Sequence, residues 1–312
     1  MLTIKQPNKI LLGYNSAHDF EIPDNSLIIT SKGAKSRGWI NYIRPNEKFE
    51  LFDQVENNPS MNTVNLILEK FNNLKFSAII GLGGGSCLDV AKFVAYKMNT
   101  KKILIPTTFG SGSEVTRISV LKIDGKKQSF HDDKLFSDIA IVDSYFLKNT
   151  PESIRNFSAI DALAQCSEAY DSSNSNLHTK FLCMKAFEVI EQAIYENDDE
   201  KLALGSLIDG LGFGNASTTL GHALSYVYSN EGFSHGHALA YTTLTAHNFN
   251  NSIFYERFKK IIHFLDIEKI SLNENFDEAS EIILNDRKHL DNNPKPVTKE
   301  NIIELLKSIE NL

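Results

Sequence analysis

The side chains best suited to chemistry are an acid, an amide and several histidines in the second half of the chain. Asp161 and Gln165 are four residues apart, so on a helix they would share one face. His222 follows a glycine, while His235 and His237 lie together in Ser-His-Gly-His-Ala. An aspartate with two or three imidazoles can hold a divalent ion such as Zn²⁺ or Fe²⁺. Any one of these histidines alone would more often be structural, so the prediction of a metal site rests on their combination.

A second signal is a run of glycines between a short apolar stretch and an amphipathic one. Ile79–Lys92 contains Gly-Leu-Gly-Gly-Gly-Ser, which predicts a buried strand, a tight turn and a helix from Ser86. Glycines let a phosphate approach the backbone, and the N-terminus of a helix favours negative charge. The spacing differs from the Gly-x-Gly-x-x-Gly of the ordinary dinucleotide fingerprint. Ser86 is also a good N-cap, so a capped turn without a ligand is the alternative.

Two neighbouring segments also suit a nucleotide. Pro106–Thr116 follows a predicted strand and is dense in hydroxyls and glycine, as in loops at the nucleotide-binding edge of a parallel sheet. A loop capped by its own side chains is the alternative. Ser31–Arg37 is basic and contains no acid that would bond the ribose hydroxyls of NAD. Ser31 and Lys32 would accept a 2′-phosphate, so the sequence favours NADP(H) over NAD(H), with a solvated basic turn as the alternative.

The order of apolar runs indicates which elements position these segments. Strand-like runs alternate with helical stretches up to residue 151, whereas helical periodicity dominates afterwards. We therefore predict an α/β nucleotide-binding domain with a mostly parallel sheet at residues 1–151 and an all-helical domain at residues 152–312. The predicted strands are Ile10–Leu12, Leu27–Thr30, Ser77–Ile80, Lys102–Ile105, Ile118–Ile123 and Ile139–Val142. The predicted helices are Met61–Phe71, Ser86–Lys97, Ser158–Tyr170, Leu177–Tyr195, Lys201–Phe213, Phe254–Phe264, Phe276–Leu290 and Thr298–Ile309.

Composition narrows the range of partners and compartments. A chain of 312 residues can form two domains with sizeable cores. Its formal net charge of -7 argues against a general affinity for nucleic acid. The sequence shows neither an apolar run long enough to span a bilayer nor a signal core in Met1–Lys9. The three cysteines show no Cys-x-x-Cys spacing, which fits a reducing compartment. From charge, hydropathy and cysteine usage together, we expect a cytoplasmic protein that binds neither membrane nor nucleic acid.

These motifs together resemble the iron-containing (group III) alcohol dehydrogenase family. The matching segments span nearly the whole chain and are Gly83–Lys92, Pro106–Thr116, Ile139–Asp143, Asp161–Leu163, Gly221–Ala238, Asn293–Pro294 and Thr298–Ile309. The resemblance implies a dehydroquinate-synthase-like fold, in which an α/β nucleotide-binding domain precedes an all-helical one. It also implies an active site in the cleft between the two domains.

The resemblance carries over to individual positions of a cofactor site. Together with the arguments above, it gives as cofactor-binding residues Ser31, Gly83, Gly84, Gly85, Ser86, Asp89, Thr107, Thr108, Ser111 and Lys127. The members at the glycine turn would meet the pyrophosphate and the nicotinamide side, and the hydroxyls of the next loop would line the cofactor. Lys127 matches a cofactor-contacting lysine by its spacing ahead of Asp143, with Lys126 as the neighbouring alternative.

For the metal, the resemblance implies Asp161, His222 and His235 as ligands. Gln165 stands where the family usually has histidine. An amide oxygen ligates a divalent ion less strongly than imidazole, which favours Zn²⁺ or a loosely held Fe²⁺. Tyr226 stands where many members carry another histidine. The interval from His222 to His235 is one residue shorter than usual and the helical domain is trimmed, which would either widen the cleft or mark a degenerate member.

The activity that the resemblance implies is reduction of a small aldehyde by hydride from NAD(P)H. Within the family the chain is most similar to the phosphonoacetaldehyde reductase branch, which forms 2-hydroxyethylphosphonate. Arg117, Lys126 and Lys127 are candidates for binding a phosphonate. The proton would arrive through water, the cofactor ribose, Tyr226 or His237.

Two other functions remain open at this point. One is different chemistry on the same scaffold, by a dehydroquinate-synthase-like lyase or a polyol-phosphate dehydrogenase. The other is a catalytically degenerate member that binds nucleotide and acts as an interaction or regulatory protein, which the amide at Gln165 motivates. For either enzyme we expect a homodimer acting on a small molecule.

Overall fold

The computed structural model describes residues 3–312, and contacts divide the chain between Thr150 and Pro151 into two units. The strands, all in the first unit, are β1 (Lys9–Leu12), β2 (Ser26–Ile29), β3 (Phe49–Phe52), β4 (Ala78–Gly83), β5 (Lys102–Pro106), β6 (Ile118–Ile123), β7 (Lys126–His131) and β8 (Ile139–Val142). The α-helices of this unit are α1 (Lys32–Ser36), α2 (Trp39–Tyr42), α3 (Met61–Lys70) and α4 (Gly85–Met98).

Six strands form one parallel sheet in the order β1-β8-β5-β4-β2-β3. Every residue of β4 and β5 is buried, as expected where continuous apolar runs such as Ala-Ile-Ile and Ile-Leu-Ile supply side chains to both faces. The predicted parallel sheet is confirmed. Strand β3, which is short, partly exposed and at the edge of this sheet, was not predicted.

Helices cover both faces of this sheet. On one face α3 and α4 contribute Val64, Ile67 and Leu88 to a core that includes Leu27 of β2 and Leu104 of β5. On the other face the apolar side chains of α2 pack with those of β4, β5 and β8. Because α4 packs against the strand that precedes it, the turn between them is fixed from both sides.

The predicted strand Ile118–Ile123 is confirmed as β6, which pairs antiparallel with β7 in a hairpin separate from the main sheet. The turn of this hairpin is Asp124-Gly125, and both residues have positive φ (50° and 79°). Two such residues favour the tight turn of a two-residue hairpin, so local turn chemistry prevailed over the parallel pattern.

The second unit is helical. Its helices are α5 (Glu152–Asp171), α6 (Leu177–Glu196), α7 (Asp199–Phe213), α8 (Leu220–Asn230), α9 (His235–Asn250), α10 (Tyr255–Phe264), α11 (Phe276–Leu284), α12 (Arg287–Asn292) and α13 (Lys299–Glu310). Helix α5 is central, since it packs against α6, α7, α8 and α9. A Cβ on Gly236 would lie only 2.0 Å from the carbonyl oxygen of Phe157, so glycine is required where α9 crosses α5.

The predicted helix Phe276–Leu290 is in fact two helices. Helix α11 ends before Asn285, and α12 begins after Asp286. The carboxylate of Asp286 accepts a hydrogen bond from the backbone N–H of His289. An aspartate that caps a new helix competes with continuation of the old one. Among residues 3–312, no helix combines the length and the apolar character that crossing a bilayer requires.

Candidate functional site

The glycine turn joins the end of β4 to the start of α4. Gly83 has φ +153°, and a Cβ there would lie 2.6 Å from Cys87 Sγ. Gly84, not Ser86, is the N-cap of α4, and no side chain caps the helix. The alternative of a turn capped by Ser86 is therefore wrong. The first N–H groups of α4 are left for a ligand or water, as in phosphate-binding turns.

The loop after β5 lies directly against this turn. A Cβ on Gly84 would lie 3.0 Å from Thr108 Oγ1, and one on Gly85 would lie 2.9 Å from Ser111 Oγ. The backbone N–H of Thr107 donates to the carbonyl of Gly83 at 3.0 Å. The two segments that the sequence predicted to bind a cofactor are therefore neighbours, and they form a backbone surface that any side chain on the glycines would fill.

Asp89 holds this loop in place. Its carboxylate accepts hydrogen bonds from Ser113 Oγ (2.6 Å) and the backbone N–H of Val120 (3.0 Å), and it lies 3.8 Å from Lys92 Nζ. These contacts tie α4 to the loop and to β6. The contact of Asp89 with a cofactor stays a prediction, as does that of Lys127, which is exposed on β7.

The end of β2 also reaches the turn. Ser31 caps α1, and it forms a side-chain hydrogen bond with Cys87, the thiol pKa of which burial nevertheless raises to about 12. The sequence showed no acid near Ser31, but the structure supplies one from the neighbouring strand. Asp53 follows β3, which pairs in parallel with β2, and its carboxylate binds Lys35 Nζ at 2.5 Å. This hydrogen bond lowers the pKa of Asp53.

Three predicted metal ligands come together in the second unit. Asp161 of α5, His222 of α8 and His235 of α9 have ligand atoms within 4.8 Å of one another. Asp161 Oδ1 lies 3.9 Å from His222 Nε2 and 3.8 Å from His235 Nε2. Atoms at these separations can point at one ion from three directions, as a tetrahedral site requires.

Gln165 adjoins this group on the next turn of α5. Its Nε2 donates to Asp161 Oδ1 at 2.8 Å, while its Oε1 is buried and, among the described residues, has no hydrogen-bond partner. An unpaired buried oxygen beside two imidazoles and a carboxylate is a group that a cation would satisfy. The residues present therefore fit a divalent ion, with the amide oxygen of Gln165 as a fourth ligand.

Glu168 contacts the ring nitrogen of His222 that is not the one nearest Asp161. Its buried carboxylate lies 2.5 Å from His222 Nδ1, leaving Nε2 toward Asp161. Burial alone would raise the pKa of Glu168, but His222 and hydrogen bonds such as that from Thr219 lower it to about 2. The sequence analysis did not single out Glu168, although it lies seven residues after Asp161 and thus on the same helix face.

Two candidates for proton transfer are placed differently. Tyr226 lies one turn after His222 on α8, and burial raises the pKa of its phenol, which therefore stays neutral and able to donate. His237 faces away from His235, because two residues turn a helix by about 200°. Its ring stacks on Phe157, and Nε2 is 2.7 Å from the carbonyl oxygen of Glu268. His237 is outside the group of three ligands.

Another histidine, His289, was not singled out by sequence reasoning. Its ring lies 6.1 Å from that of His222 and 5.9 Å from that of Tyr226, and Nδ1 bonds Asp286 at 2.6 Å. Burial lowers the pKa of His289 despite Asp286. The available signal was the Asp286-x-x-His289 spacing just before Asn293-Pro294, but only the fold brings it to α8.

Two family models match this chain. The model described as iron-containing alcohol dehydrogenase matches residues 7–144. The model described as the C-terminal part of the Fe-containing alcohol dehydrogenase family matches residues 156–284. Each model thus covers most of one unit.

Curated relatives are similar over part of their length. The 4-hydroxybutyrate dehydrogenase of Clostridium kluyveri is 32% identical over 209 residues, which are 58% of this chain and 56% of the relative. The long-chain-alcohol dehydrogenase 1 of Geobacillus thermodenitrificans is 36% identical over 181 residues, 49% of this chain and 46% of the relative. The chain therefore spans about half the length of the curated relatives it matches.

Solved structures share the fold. An iron-containing alcohol dehydrogenase from Thermotoga maritima matches with a TM-score of 0.90 and 24% identity, covering 100% of both chains. The sulfoacetaldehyde reductase of Bifidobacterium kashiwanohense, solved in complex with NAD+, matches with a TM-score of 0.91 and 21% identity, covering 99% of this chain and 98% of that one. The predicted fold class, an α/β domain followed by a helical one, is confirmed.

Proposed function

Since this chain belongs to the iron-containing alcohol dehydrogenase family, we propose that it is a metal-dependent, NAD(P)H-linked reductase of small aldehydes. The observation that carries this proposal is the group formed by Asp161, His222 and His235, with the unpaired oxygen of Gln165 beside it. Dehydrogenases of hydroxy compounds among the relatives support it. The reverse reaction, oxidation of the alcohol, would use the same residues.

The residues of the second unit have distinct tasks in this proposal. Asp161, His222 and His235 would hold a divalent ion, Zn²⁺ or Fe²⁺, with Gln165 as a weaker fourth ligand. When bound, the ion supplies Lewis-acid chemistry for a carbonyl group. Tyr226, as a neutral phenol near His222, could donate a hydrogen bond to an oxygen at this centre.

The first unit would bind the cofactor through its backbone. The uncapped N–H groups at the start of α4 suit a pyrophosphate, and Thr107, Thr108 and Ser111 would line the same surface. We propose a preference for NADPH, because Ser31 and Lys32 carry no negative charge at the end of β2. Asp53 works against this preference, but Lys35 neutralises its carboxylate.

For the substrate, we propose a short aldehyde with an anionic group, and phosphonoacetaldehyde as a specific example. The similar fold of a sulfoacetaldehyde reductase supports the class, since sulfonate and phosphonate are alike in shape. The candidate cations are Arg117, which bonds Asp133, and Lys126 and Lys127, which are exposed on β7. We further propose a homodimer, which light scattering after size-exclusion chromatography would test.

A panel assay tests the proposal. Protein stripped of metal and reloaded with Zn²⁺ or Fe²⁺ would receive NADPH or NADH with propanal, phosphonoacetaldehyde or sulfoacetaldehyde. We expect metal-dependent loss of NADPH absorbance, fastest with the two anionic aldehydes. Nucleotide binding without metal binding under any loading condition would support the degenerate alternative, and metal binding without turnover of any aldehyde would contradict the proposed reaction.

A further inference from the structure

Glu168 combines complete burial with an unusual number of hydrogen bonds. Only 1% of its side chain is exposed, although it is an acidic residue. Burying a carboxylate is costly unless several donors surround it. The groups around Glu168 must therefore offset the free-energy cost of burying its carboxylate.

Four donors converge on this carboxylate. Thr219 donates through both Oγ1 (2.9 Å) and its backbone N–H (3.3 Å), and the backbone N–H of Gly221 donates at 2.5 Å. The fourth group is His222 Nδ1, also at 2.5 Å. Two of these partners are backbone N–H groups at the first turn of α8, which has no side-chain cap of its own. Glu168 thus caps α8 from another helix.

Gly221 shows how closely α8 approaches Glu168. A Cβ on Gly221 would lie 2.8 Å from Glu168 Oε1 and 2.9 Å from Thr243 Cα. Only glycine fits between these two groups, so the position of the carboxylate relative to His222 is sterically fixed.

We propose that Glu168 is a positioning residue that determines whether His222 can bind a metal ion. An ionised carboxylate only accepts hydrogen bonds, so the His222 nitrogen that faces it must carry the proton. The other nitrogen, Nε2, then keeps its lone pair, and it is the one that lies beside Asp161 and His235. The inference rests on the proposed metal site, and it adds the residue that prepares that site before any ion arrives.

The substitution Glu168→Gln keeps the shape of the side chain but changes which nitrogen of His222 it can hold protonated. Glutamine keeps the size, and an oxygen at the Oε1 position can still accept from the Thr219 hydroxyl and the backbone N–H of Gly221. Its NH₂ group then faces His222 Nδ1 and the more distant backbone N–H of Thr219. That NH₂ group donates, so His222 must accept at Nδ1 and carry its proton on Nε2. The matched control is Thr219→Val, which removes one hydroxyl bond to the carboxylate and leaves the contact with His222 unchanged.

The first measurement needs no metal. Nitrogen-15 NMR of histidine-labelled, metal-free protein distinguishes the two neutral tautomers, and a His222→Gln sample identifies the signal of His222. We expect the Nδ1–H tautomer in the wild type and in Thr219→Val, and the Nε2–H tautomer in Glu168→Gln. The Nδ1–H tautomer in Glu168→Gln would overturn the proposal.

The second measurement is the affinity for Zn²⁺ by competition with a chelating dye. We expect Glu168→Gln to lose about 10–100-fold, as for other residues that orient metal-binding histidines. Thr219→Val should lose no more than about fivefold, or about 1 kcal/mol, because the other three donors, His222 among them, stay in contact with the carboxylate. Equal losses in both variants would mean that Glu168 acts only as a helix cap, which contradicts positioning.

The two proposals fail differently. If the wild type shows the Nδ1–H tautomer but binds no metal, the proposed function fails and the role of Glu168 in fixing the tautomer stands. If the wild type binds metal and Glu168→Gln binds equally well, only the inference about Glu168 fails. Should Glu168→Gln not fold, Glu168→Asp retains the charge but retracts the carboxylate, and we then expect a mixture of tautomers with weaker Zn²⁺ binding. A pure Nδ1–H tautomer with unchanged affinity in that variant would contradict positioning.

Discussion

The two candidate sites are built from different parts of the chain. In the first unit the nucleotide surface is backbone. It consists of the uncapped start of α4 and of glycines on which an added Cβ would lie within 3.0 Å of a neighbouring hydroxyl. In the second unit the metal group is made of side chains from three helices, and a fourth side chain, Glu168, orients one of them. We therefore expect moderate effects when volume or charge is added in the first site, and larger effects when single side chains are replaced in the second.

The largest effect that this difference predicts is at His222. Replacing His222 with Gln removes the imidazole while retaining a polar group for Glu168. We expect metal-dependent turnover to fall by roughly 10²–10³-fold, the scale of an essential electrostatic group. Steady-state assays with NADPH and an aldehyde, beside a metal assay of the purified protein, would measure this.

The control for that experiment is His263→Gln on the exposed side of α10. It removes an imidazole far along the chain from any proposed ligand, and it should leave rate and metal content unchanged. Wild-type rates in His222→Gln would remove the metal site from the proposed mechanism.

The second prediction concerns how stability depends on pH, which should have opposite signs in the two units. Burial raises the pKa of Glu114 in the first unit to about 7, so the folded form keeps a proton that the unfolded chain releases from about pH 4.5 upward. The first unit should lose stability as pH rises from 5 to 7. Burial lowers the pKa of His247 in the second unit to about 4, so the unfolded chain takes up protons first as pH falls below 6.5. The second unit should lose stability as pH falls from 7 to 5.

Hydrogen exchange resolves the two units in one sample. After correction for the intrinsic exchange rate, opening free energies at β4 and α5 should change in opposite directions between pH 5 and 7, each by up to roughly 2–3 kcal/mol. Glu114→Gln should flatten the profile of the first unit alone, and His247→Gln that of the second. Parallel profiles in both units would show that burial of these two groups does not control stability.

The sequence predicted the two sites unequally, because the first is built from contiguous backbone and the second from side chains on separate helices. The first site follows a strand–turn–helix pattern that is contiguous, so the buried strand, the glycine turn and the helix could be predicted from Ile79–Lys92 alone. The Asp161–Gln165 pair could also be predicted, because its spacing is local to one helix. The place of His289 could not, since it depends on how α12 folds back toward α8. The break at Asn285 was missed because Asp286 caps a new helix where the helical periodicity continues. Asp53 was missed together with its short edge strand β3.

The third prediction tests the cofactor preference. Ser31→Asp places a negative charge at the end of β2, where it would repel a 2′-phosphate and bond ribose hydroxyls. We expect the ratio of kcat/KM for NADPH to that for NADH to fall by about tenfold or more, as for one unfavourable charge contact of 1–2 kcal/mol. The matched control, Ser36→Asp, adds the same charge at an exposed position of α1 and should change the ratio by no more than about twofold. If both variants change it equally, the preference reflects general charge and not a site at Ser31.

The smallest expected effect distinguishes a glycine that leaves room for a ligand from a glycine that lets two helices pack closely. A Cβ on Gly84 would lie 3.0 Å from Thr108 Oγ1, a contact that a small shift of the loop can relieve. Gly84→Ala should therefore weaken NADPH binding about fivefold, or roughly 1 kcal/mol, and leave the free energy of unfolding nearly unchanged.

Gly205 of α7 offers the converse, because a Cβ there would lie 2.5 Å from Ile190 and 3.2 Å from its backbone nitrogen. Gly205→Ala should destabilise the second unit by about 1–3 kcal/mol and leave NADPH affinity unchanged. Fluorescence titration with NADPH and urea unfolding of both variants would measure the four values. If Gly84→Ala lowers stability without weakening NADPH, the glycine turn serves packing, and the nucleotide site has to be sought elsewhere in the first unit.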